Sequence, residues 1–249
     1  MKKAIFNWSG GKDSSLSLYY LSQEKEYDIQ YLVTSINEKF QRISMHGVRI
    51  ELLKQQAESI GIPLYSLLMP EMPSMDIYNQ LMKTTLQKFR AEGISHSIFG
   101  DIFLEDLKRY REEQLLKVHM QAVFPIWKKP TLQLVRDFID LGFKAVIVCI
   151  NEKYLDQSFV GREIDQRFLN DLPQDVDPCG ENGEYHSFVY EGPIFKKPIK
   201  FKLGDKVYRN DEPVGDPNNS KDHVCPSSSV PDFSTGFWYC DLLPVFKNL

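Results

Sequence analysis

The run Ser9-Gly10-Gly11-Lys12-Asp13-Ser14 constrains this chain more than any other segment. It follows the apolar stretch Ala4-Ile5-Phe6 and leads into Leu16, Leu18 and Leu21, which predicts a strand, a tight turn and a helix. Two glycines let backbone N–H groups approach an anion closely. The helix that follows offers unpaired amides and the positive end of its dipole, and Lys12 adds a point charge. The turn therefore predicts a polyphosphate guest held by Ser9, Gly10, Gly11, Lys12, Asp13 and Ser14. It is not a Walker A loop, because Phe6 stands where the first glycine would be and Asp13 separates Lys12 from Ser14. The dinucleotide pattern G-x-G-x-x-G also fails. Taken alone, Gly10-Gly11 has a simpler reading as a strand-to-helix turn capped by Asp13 or Ser14.

At 249 residues the chain suffices for one large domain or two small ones. A formal net charge of −4 gives no global attraction to nucleic acid or anionic membrane. Met1-Lys2-Lys3 leads into an apolar stretch broken at Asn7, too short for a signal-peptide core, so a cytoplasmic location is expected. The longest strongly apolar run, 145–150, has the length of a strand and predicts no transmembrane helix. Cys149, Cys179, Cys225 and Cys240 show no C-x-x-C spacing, which argues against a disulfide framework or a zinc ribbon. His223 and Cys225 with Cys240 are the remaining metal-type grouping, without a second close ligand pair.

Strand-like runs at 4–8, 29–35, 63–68, 96–100 and 145–150 alternate with helical periodicity at 13–25, 47–60, 75–92, 104–121 and 132–141. That alternation predicts an α/β fold: a Rossmann-like parallel-sheet domain over 1–127, followed by a smaller α+β domain over 128–249. The second domain is expected to carry antiparallel strands at 188–190, 199–203, 206–209 and 237–241. Residues 210–235, rich in Pro, Ser, Asn and Asp, read as a flexible insertion between the last two.

Ligands of an open parallel sheet bind beyond the carboxyl ends of its strands, near the switch in strand order. Besides the phosphate loop, this selects Ser35 after the second strand, Gly100-Asp101 after the fourth, and Ser44-Met45-His46-Gly47 ahead of a helix. Asp13 and Asp101 are candidate Mg²⁺ ligands, since this ion needs only one or two carboxylates beside phosphate and water; each is equally placed to cap a helix. His46 has the near-neutral pKa suited to a phosphate or adenine contact, with a helix cap or a packed side chain as its plainer reading. The charge of the helix over 104–121 reads most simply as a solvated face, but Arg109 or Arg111 can clamp a departing pyrophosphate, and Arg109 is the nucleotide contact expected. A second loop, 177–187, sets Glu181 and Glu184 among glycines just ahead of a strand. It predicts a substrate-binding loop of Glu181, Asn182, Gly183, Glu184 and His186, with Glu184 or His186 available as a base; a turn with solvated acids is the other reading. Lys196, Lys197, Lys200, Lys202 and Lys206 form a basic strip that either contacts phosphates or protects a sheet edge.

Through Ser9-Gly10-Gly11-Lys12-Asp13-Ser14 the chain resembles the PP-loop ATP pyrophosphatases, which implies an adenine nucleotide alpha hydrolase-like (HUP) fold and cleavage of ATP between its α and β phosphates. Ser44-Met45-His46-Gly47, Gly100-Asp101-Ile102, Pro125-Ile126-Trp127, Phe159-Val160-Gly161-Arg162 and Gly180-Glu181-Asn182-Gly183-Glu184 narrow the resemblance to the diphthine-ammonia ligase family, over most of the chain outside 210–235. Members of that family use ATP and ammonium to turn the carboxylate of diphthine, a modified histidine on elongation factor 2, into the amide. Their loop reads Gly-Glu-Gly-Gly-Glu-Phe-Glu-Thr, so Glu181, Gly183 and Glu184 match while Asn182 and His186 depart. These departures and the short Ser44-Met45-His46-Gly47 form are similar to a bacterial branch. The resemblance implies that Arg162 contacts substrate or phosphate; a surface salt bridge is its plainer reading.

The expectation is an AMP- and pyrophosphate-forming amide ligase with Lys12, Asp13 and Glu184 as catalytic residues and ATP and Mg²⁺ as cofactors. Ammonium is the expected nitrogen source, and an unidentified carboxylate, on a small molecule or a protein side chain, the acceptor. A PP-loop enzyme modifying tRNA and a non-catalytic nucleotide sensor are the alternatives. No membrane partner is expected, nucleic acid is not favoured, and self-association as a homodimer is compatible with the sequence.

Overall fold

A computed structural model describes residues 1–43, 46–71, 74–210 and 236–246. Its first half contains β1 (Lys2–Asn7), α1 (Lys12–Glu24), β2 (Tyr27–Asn37), β3 (Arg42–Ile43) and α2 (Ile50–Ile60). These are followed by β4 (Leu64–Met69), α3 (Met75–Ala91), β5 (His96–Ile98), α4 (Glu105–Leu116) and β6 (Gln121–Val123). The parallel strands lie in the order β4-β2-β1-β5-β6, and the two-residue β3 pairs antiparallel with β2. This is a Rossmann-like sheet.

The strand order reverses at β1. From it the chain runs to β2 and β4 on one side and returns to β5 and β6 on the other, so a crevice opens beyond the carboxyl ends of β1 and β5. Asn7, the last residue of β1, closes its base: Nδ2 donates to Ser97 Oγ and to the Ile98 carbonyl, both at 2.9 Å. Because β4 occupies one edge of β2 over its last six residues, β3, paired with Ile36 and Asn37, must lie on the other edge. There it extends past the end of β1, whose pairing with β2 stops at Val33. The turn after β3 therefore overhangs the crevice.

The second half contributes α5 (Thr131–Asp140), β7 (Lys144–Asn151), a 3₁₀ turn (Gln157–Phe159), α6 (Gln166–Asp171), β8 (Tyr185–Glu191), β9 (Phe201–Arg209) and β10 (Phe237–Pro244). Its strands form an antiparallel sheet in the order β8-β7-β10-β9. The apolar run grouped with the parallel strands becomes β7, in the middle of this sheet. A strand buried on both faces carries no alternation by which to tell one sheet type from the other. The helix expected to reach residue 121 stops at Leu116, and His119 at φ 56° turns the chain so that Gln121–Val123 joins the first sheet as β6. The two strands expected at 199–203 and 206–209 are one strand, β9.

A single apolar cluster runs through both sheets, with Phe6, Trp8 and Leu53 from the first half packed in common with Phe138, Phe188 and Leu242 from the second. A smaller cluster around Ile5, Leu86, Phe89 and Ile94 covers the opposite face of the first sheet. The shared core holds β8 against the crevice. The expected insertion lies, apart from Asn210, outside the described residues, as do His223, Cys225 and Ser44. Among the described residues no helix is long and apolar enough to cross a membrane.

Candidate functional site

Residues 8–11 turn the chain from β1 into α1 at the floor of the crevice. Gly10 sits at φ 75°, and a Cβ there would come within 2.8 Å of both Gln56 and Leu53. Gly11 stands in the N-cap position with no side chain to cap α1, and the Lys12 amide meets Ser187 Oγ at 3.2 Å. Ser9 and Ser14 hydroxyls lie 3.0 Å apart, and Ser14 Oγ donates to the Gly11 carbonyl at 2.9 Å. Buried Gln56 of α2 knits this turn to β8: it accepts from Trp8 Nε1 at 2.9 Å and donates to the Gly10 and Val189 carbonyls at 3.1 and 2.6 Å. Gly100 presses on the first turn of α1, where a Cβ would sit 3.1 Å from the Ser14 nitrogen and 3.2 Å from its Cα.

Lys12 is only 4 % exposed. Its ammonium donates to both Asp13 oxygens, at 2.7 and 2.9 Å, and to the Cys179 carbonyl, and it lies 5.2 Å from the centre of the Tyr185 ring. Burial alone would lower the Lys12 pKa, but neighbouring Asp13, Tyr185 and Cys179 hold it well above the ordinary lysine value. Burial raises Asp13 against the pull of Lys12, with nearby Asp177 adding to the rise. Asp101 is likewise raised by burial, opposed by Arg111. Arg111 Nη2 donates to Asp101 Oδ1 at 3.1 Å, and its Nε lies 2.7 Å from Oδ2, an ion pair without hydrogen-bond alignment. The Arg111 guanidinium stacks 4.3 Å above the Phe99 ring.

The loop before β8 meets the first loop from above. Glu181 accepts the Ile102 amide at 2.8 Å and is pushed up to about 8 by burial and by the charges of Asp13 and Asp101, against that hydrogen bond. Glu184, three residues on, is 1 % exposed and faces the other way. Its oxygens accept from the Asp177 amide at 3.0 Å, the Asn182 amide at 2.9 Å and Asn182 Nδ2 at 3.0 Å. Asp177 in turn accepts the amides of Cys179 and Glu181 at 3.0 and 3.1 Å. Two carboxylates thus fold this loop, and a third, Glu181, is aimed at the crevice.

His46 and His186 stack with ring centres 4.4 Å apart and planes 19° from parallel. His46 Cε1 is 3.5 Å from where a Cβ on Gly11 would be, which puts the pair beside the phosphate loop. Burial, His186 and Lys12 hold His46 well below the ordinary histidine value, against a backbone hydrogen bond at Ser187; burial and Lys12 bring His186 down to about 4. Both rings are neutral near pH 7, and His46 Nδ1 is buried with no hydrogen bond.

The structure thus gathers Ser9, Gly10, Gly11, Lys12, Asp13, Ser14, His46, Gly100, Asp101, Glu181 and His186 around one crevice, with Asn182, Gly183 and Glu184 supporting it. Ser35 lies on β2 opposite Leu67, at the carboxyl edge of the sheet. Two expected contacts are not brought in. Arg109 is 70 % exposed and pairs with Asp106 on its own helix, and Arg162 pairs with Asp171 at 2.7 Å over the Phe159 ring. Arg111 stands where Arg109 was expected. Its spacing from buried Leu107 and Leu115, four residues either side, marks it as inward-facing. Of the basic strip, Lys197 pairs with Glu58 at 2.6 Å.

The described residues contain no group of three or more His, Cys, Asp or Glu placed to hold a metal ion. Mg²⁺ does not need one when phosphate oxygens and water complete its shell; the two expected carboxylates each already carry a cation, Asp101 beside Arg111 and Asp13 beside Lys12.

Residues 1–120 match the diphthamide synthase N-terminal domain and residues 130–216 the diphthamide synthase C-terminal domain. Among curated proteins, the chain is 34 % identical over 130 residues to the diphthine–ammonia ligase of Homo sapiens, covering 50 % of this chain and 47 % of that one. It is 29 % identical over 152 residues to the Danio rerio protein of the same name, covering 56 % of each. A diphthine–ammonia ligase of Schizosaccharomyces pombe is 24 % identical over 129 residues, 50 % of this chain and 21 % of its own. The chain spans about half the length of the vertebrate relatives it matches. Glycine-bounded phosphate loop, crevice and second loop all fall within the two matched domains, and the chain belongs to the diphthamide synthase family.

Proposed function

We propose that this protein is an ATP-dependent amide ligase that forms AMP and pyrophosphate, with a carboxylate as acceptor and ammonia as nitrogen donor. The observation that carries the reading is Lys12, buried at the first position of α1, where the connections leaving the neighbouring strands β1 and β5 part to opposite sides of the sheet. A buried lysine at an uncapped helix start, in the ligand crevice of a Rossmann-like sheet, is chemistry suited to phosphates. The name shared by the relatives, diphthine–ammonia ligase, supports acid–ammonia ligation.

The acceptor carboxylate attacks the α-phosphorus of ATP, the bond to the β-phosphate oxygen breaks, and an acyl-adenylate and pyrophosphate result. Lys12 and the loop amides offset the charge that develops on the leaving pyrophosphate. Ammonia then attacks the acyl carbon, the amide forms, AMP departs, and the surplus proton passes to solvent. Asp13 and Asp101 are the residues that would hold Mg²⁺, which would supply neutralisation of phosphate charge there. Arg111 keeps Asp101 in place, and Glu184 acts by holding the loop that presents Glu181 rather than by taking a proton itself.

The test is chromatographic separation of nucleotide products after incubation with ATP, Mg²⁺ and ammonium, with diphthine-bearing elongation factor 2 or a fractionated cell extract as acceptor. AMP and pyrophosphate that appear only with an acceptor are the expected result. ADP, or intact ATP despite measured binding, overturns the ligase in favour of a hydrolase or a sensor.

A further inference from the structure

One carboxylate of the second sheet fastens both ends of the turn that carries His46. Asp241 of β10 accepts from Arg42 Nη1 at 2.8 Å, from Arg49 Nη2 at 2.6 Å and from Arg49 Nε at 3.1 Å. Arg42 belongs to β3 and Arg49 immediately precedes α2, so the two bracket His46 and Gly47. The neck of the turn is closed by Ile43 N–H donating to the Val48 carbonyl at 2.9 Å and Gly47 N–H to the Ile43 carbonyl at 3.0 Å. Arg42 Nη1 also donates to the Gly47 carbonyl at 2.7 Å, so the same nitrogen grips both the turn and Asp241. Gly47, at φ 65°, packs on Tyr239 of β10, whose ring a Cβ would approach to 3.2 Å.

Two guanidiniums this close repel unless an anion stands between them, and Asp241 is that anion. Burial alone would raise its pKa, but the hydrogen bonds from Arg49 and Arg42 bring it down to about 2. The latch is therefore charged at any working pH. Its far end is the His46 ring, stacked on His186 beside Gly11 with Nδ1 unpaired.

We infer that Asp241 is a positioning residue of the nucleotide site: through Arg42 and Arg49 it holds the turn that sets His46 over the phosphate loop, so that ATP affinity in the first sheet depends on a side chain of the second. The inference rests on the reading of that loop as an ATP site. It also gives the β9–β10 arm a role at a crevice it does not line.

The experiment is calorimetric titration of ATP with Mg²⁺ into the full chain, comparing the native protein, Asp241→Asn, His46→Ala and the double variant, alongside NMR of the histidine ring resonances without nucleotide. Asp241→Asn is expected to weaken ATP on the order of tenfold, to move the His46 and His186 ring shifts as the stack opens, and to add nothing once His46 is alanine. The inference is overturned if ring shifts and affinity stay at the native values, or if the two losses multiply in the double variant. Native protein that binds no ATP sinks the nucleotide reading, while the ring shifts still decide whether Asp241 holds His46. Should Asp241→Asn fail to fold, Arg42→Met, which keeps most of the stem and removes the nitrogen that holds both Gly47 and Asp241, serves the same cycle.

Discussion

The loop after β1 and the loop before β8 meet at one crevice and are built on opposite principles. The first is shaped by the fold: a strand end, glycines that admit close approach and a helix start set Lys12 in the floor of the crevice, ion-paired with its neighbour Asp13. The second is shaped by its own acids: Glu184 and Asp177 between them take up four backbone amides and one side-chain amide, and only Glu181 is left to face the site. On the proposed reading, charge in the first loop serves the nucleotide, while most charge in the second holds the loop itself. A motif residue in each therefore carries a different expectation.

The sharpest test of that difference is Lys12→Met, which keeps most of the stem's packing and removes the ammonium. Loss of one such donor to transition-state charge costs roughly 10²–10³ in turnover. AMP formation, followed by the product assay, is expected to fall by that order. An unaltered turnover would break the comparison on its functional side.

Glu184→Gln tests the structural side. The substitution leaves one oxygen and puts an amide nitrogen against a backbone donor, in a place that is 1 % exposed. A buried donor stripped of its acceptor costs about 1–3 kcal/mol, and for a chain of this size each kcal/mol lowers the melting midpoint by roughly 2–4 °C. Differential scanning calorimetry is expected to show a drop of about 5 °C. Residual turnover should keep its native pH profile, since the proton inventory of the reaction is unchanged. A profile that loses one limb with no change in stability would make Glu184 a base after all.

The same contrast explains what could be read from the sequence. Strand, turn and helix in the first loop follow from local pattern, and so does the parallel sheet that positions it. The partition of labour inside the second loop does not. Glu181 and Glu184 are the same residue type in the same glycine-rich context; Glu184 turns back on Asp177 and Asn182 of its own loop, and only the long-range contact with Ile102 turns Glu181 the other way. Arg109 and Arg111 differ in a way the helical period does reveal, because Arg111 continues the Leu107–Leu115 stripe and Arg109 lies off it. Asp241 had no local signal. Its partners are close to two hundred positions away in the chain, and nothing short of the shared core brings them together.

Glu181 offers the smallest and most specific measurement. Burial and the acids of the first loop place its folded value at about 8, against an ordinary 4.5. The sign follows from proton counts: between these values the folded state retains a proton that the unfolded state has lost, so stability falls as pH rises. The contribution is at its best below 4.5, declines from there, and the decline is complete once pH passes about 8. Glu181→Gln keeps the acceptor for the Ile102 amide and cannot ionise. Melting curves of the nucleotide-free protein from pH 5 to 9 should therefore lie closest at the acid end, separate progressively through neutrality and hold a constant gap above about pH 8, with the variant the more stable by a few degrees. Curves that stay parallel across the range would mean that Glu181 ionises as freely as a solvated acid. The second loop would then present no buried acid to the first, and the meeting of the two loops at one electrostatic site would have to be abandoned.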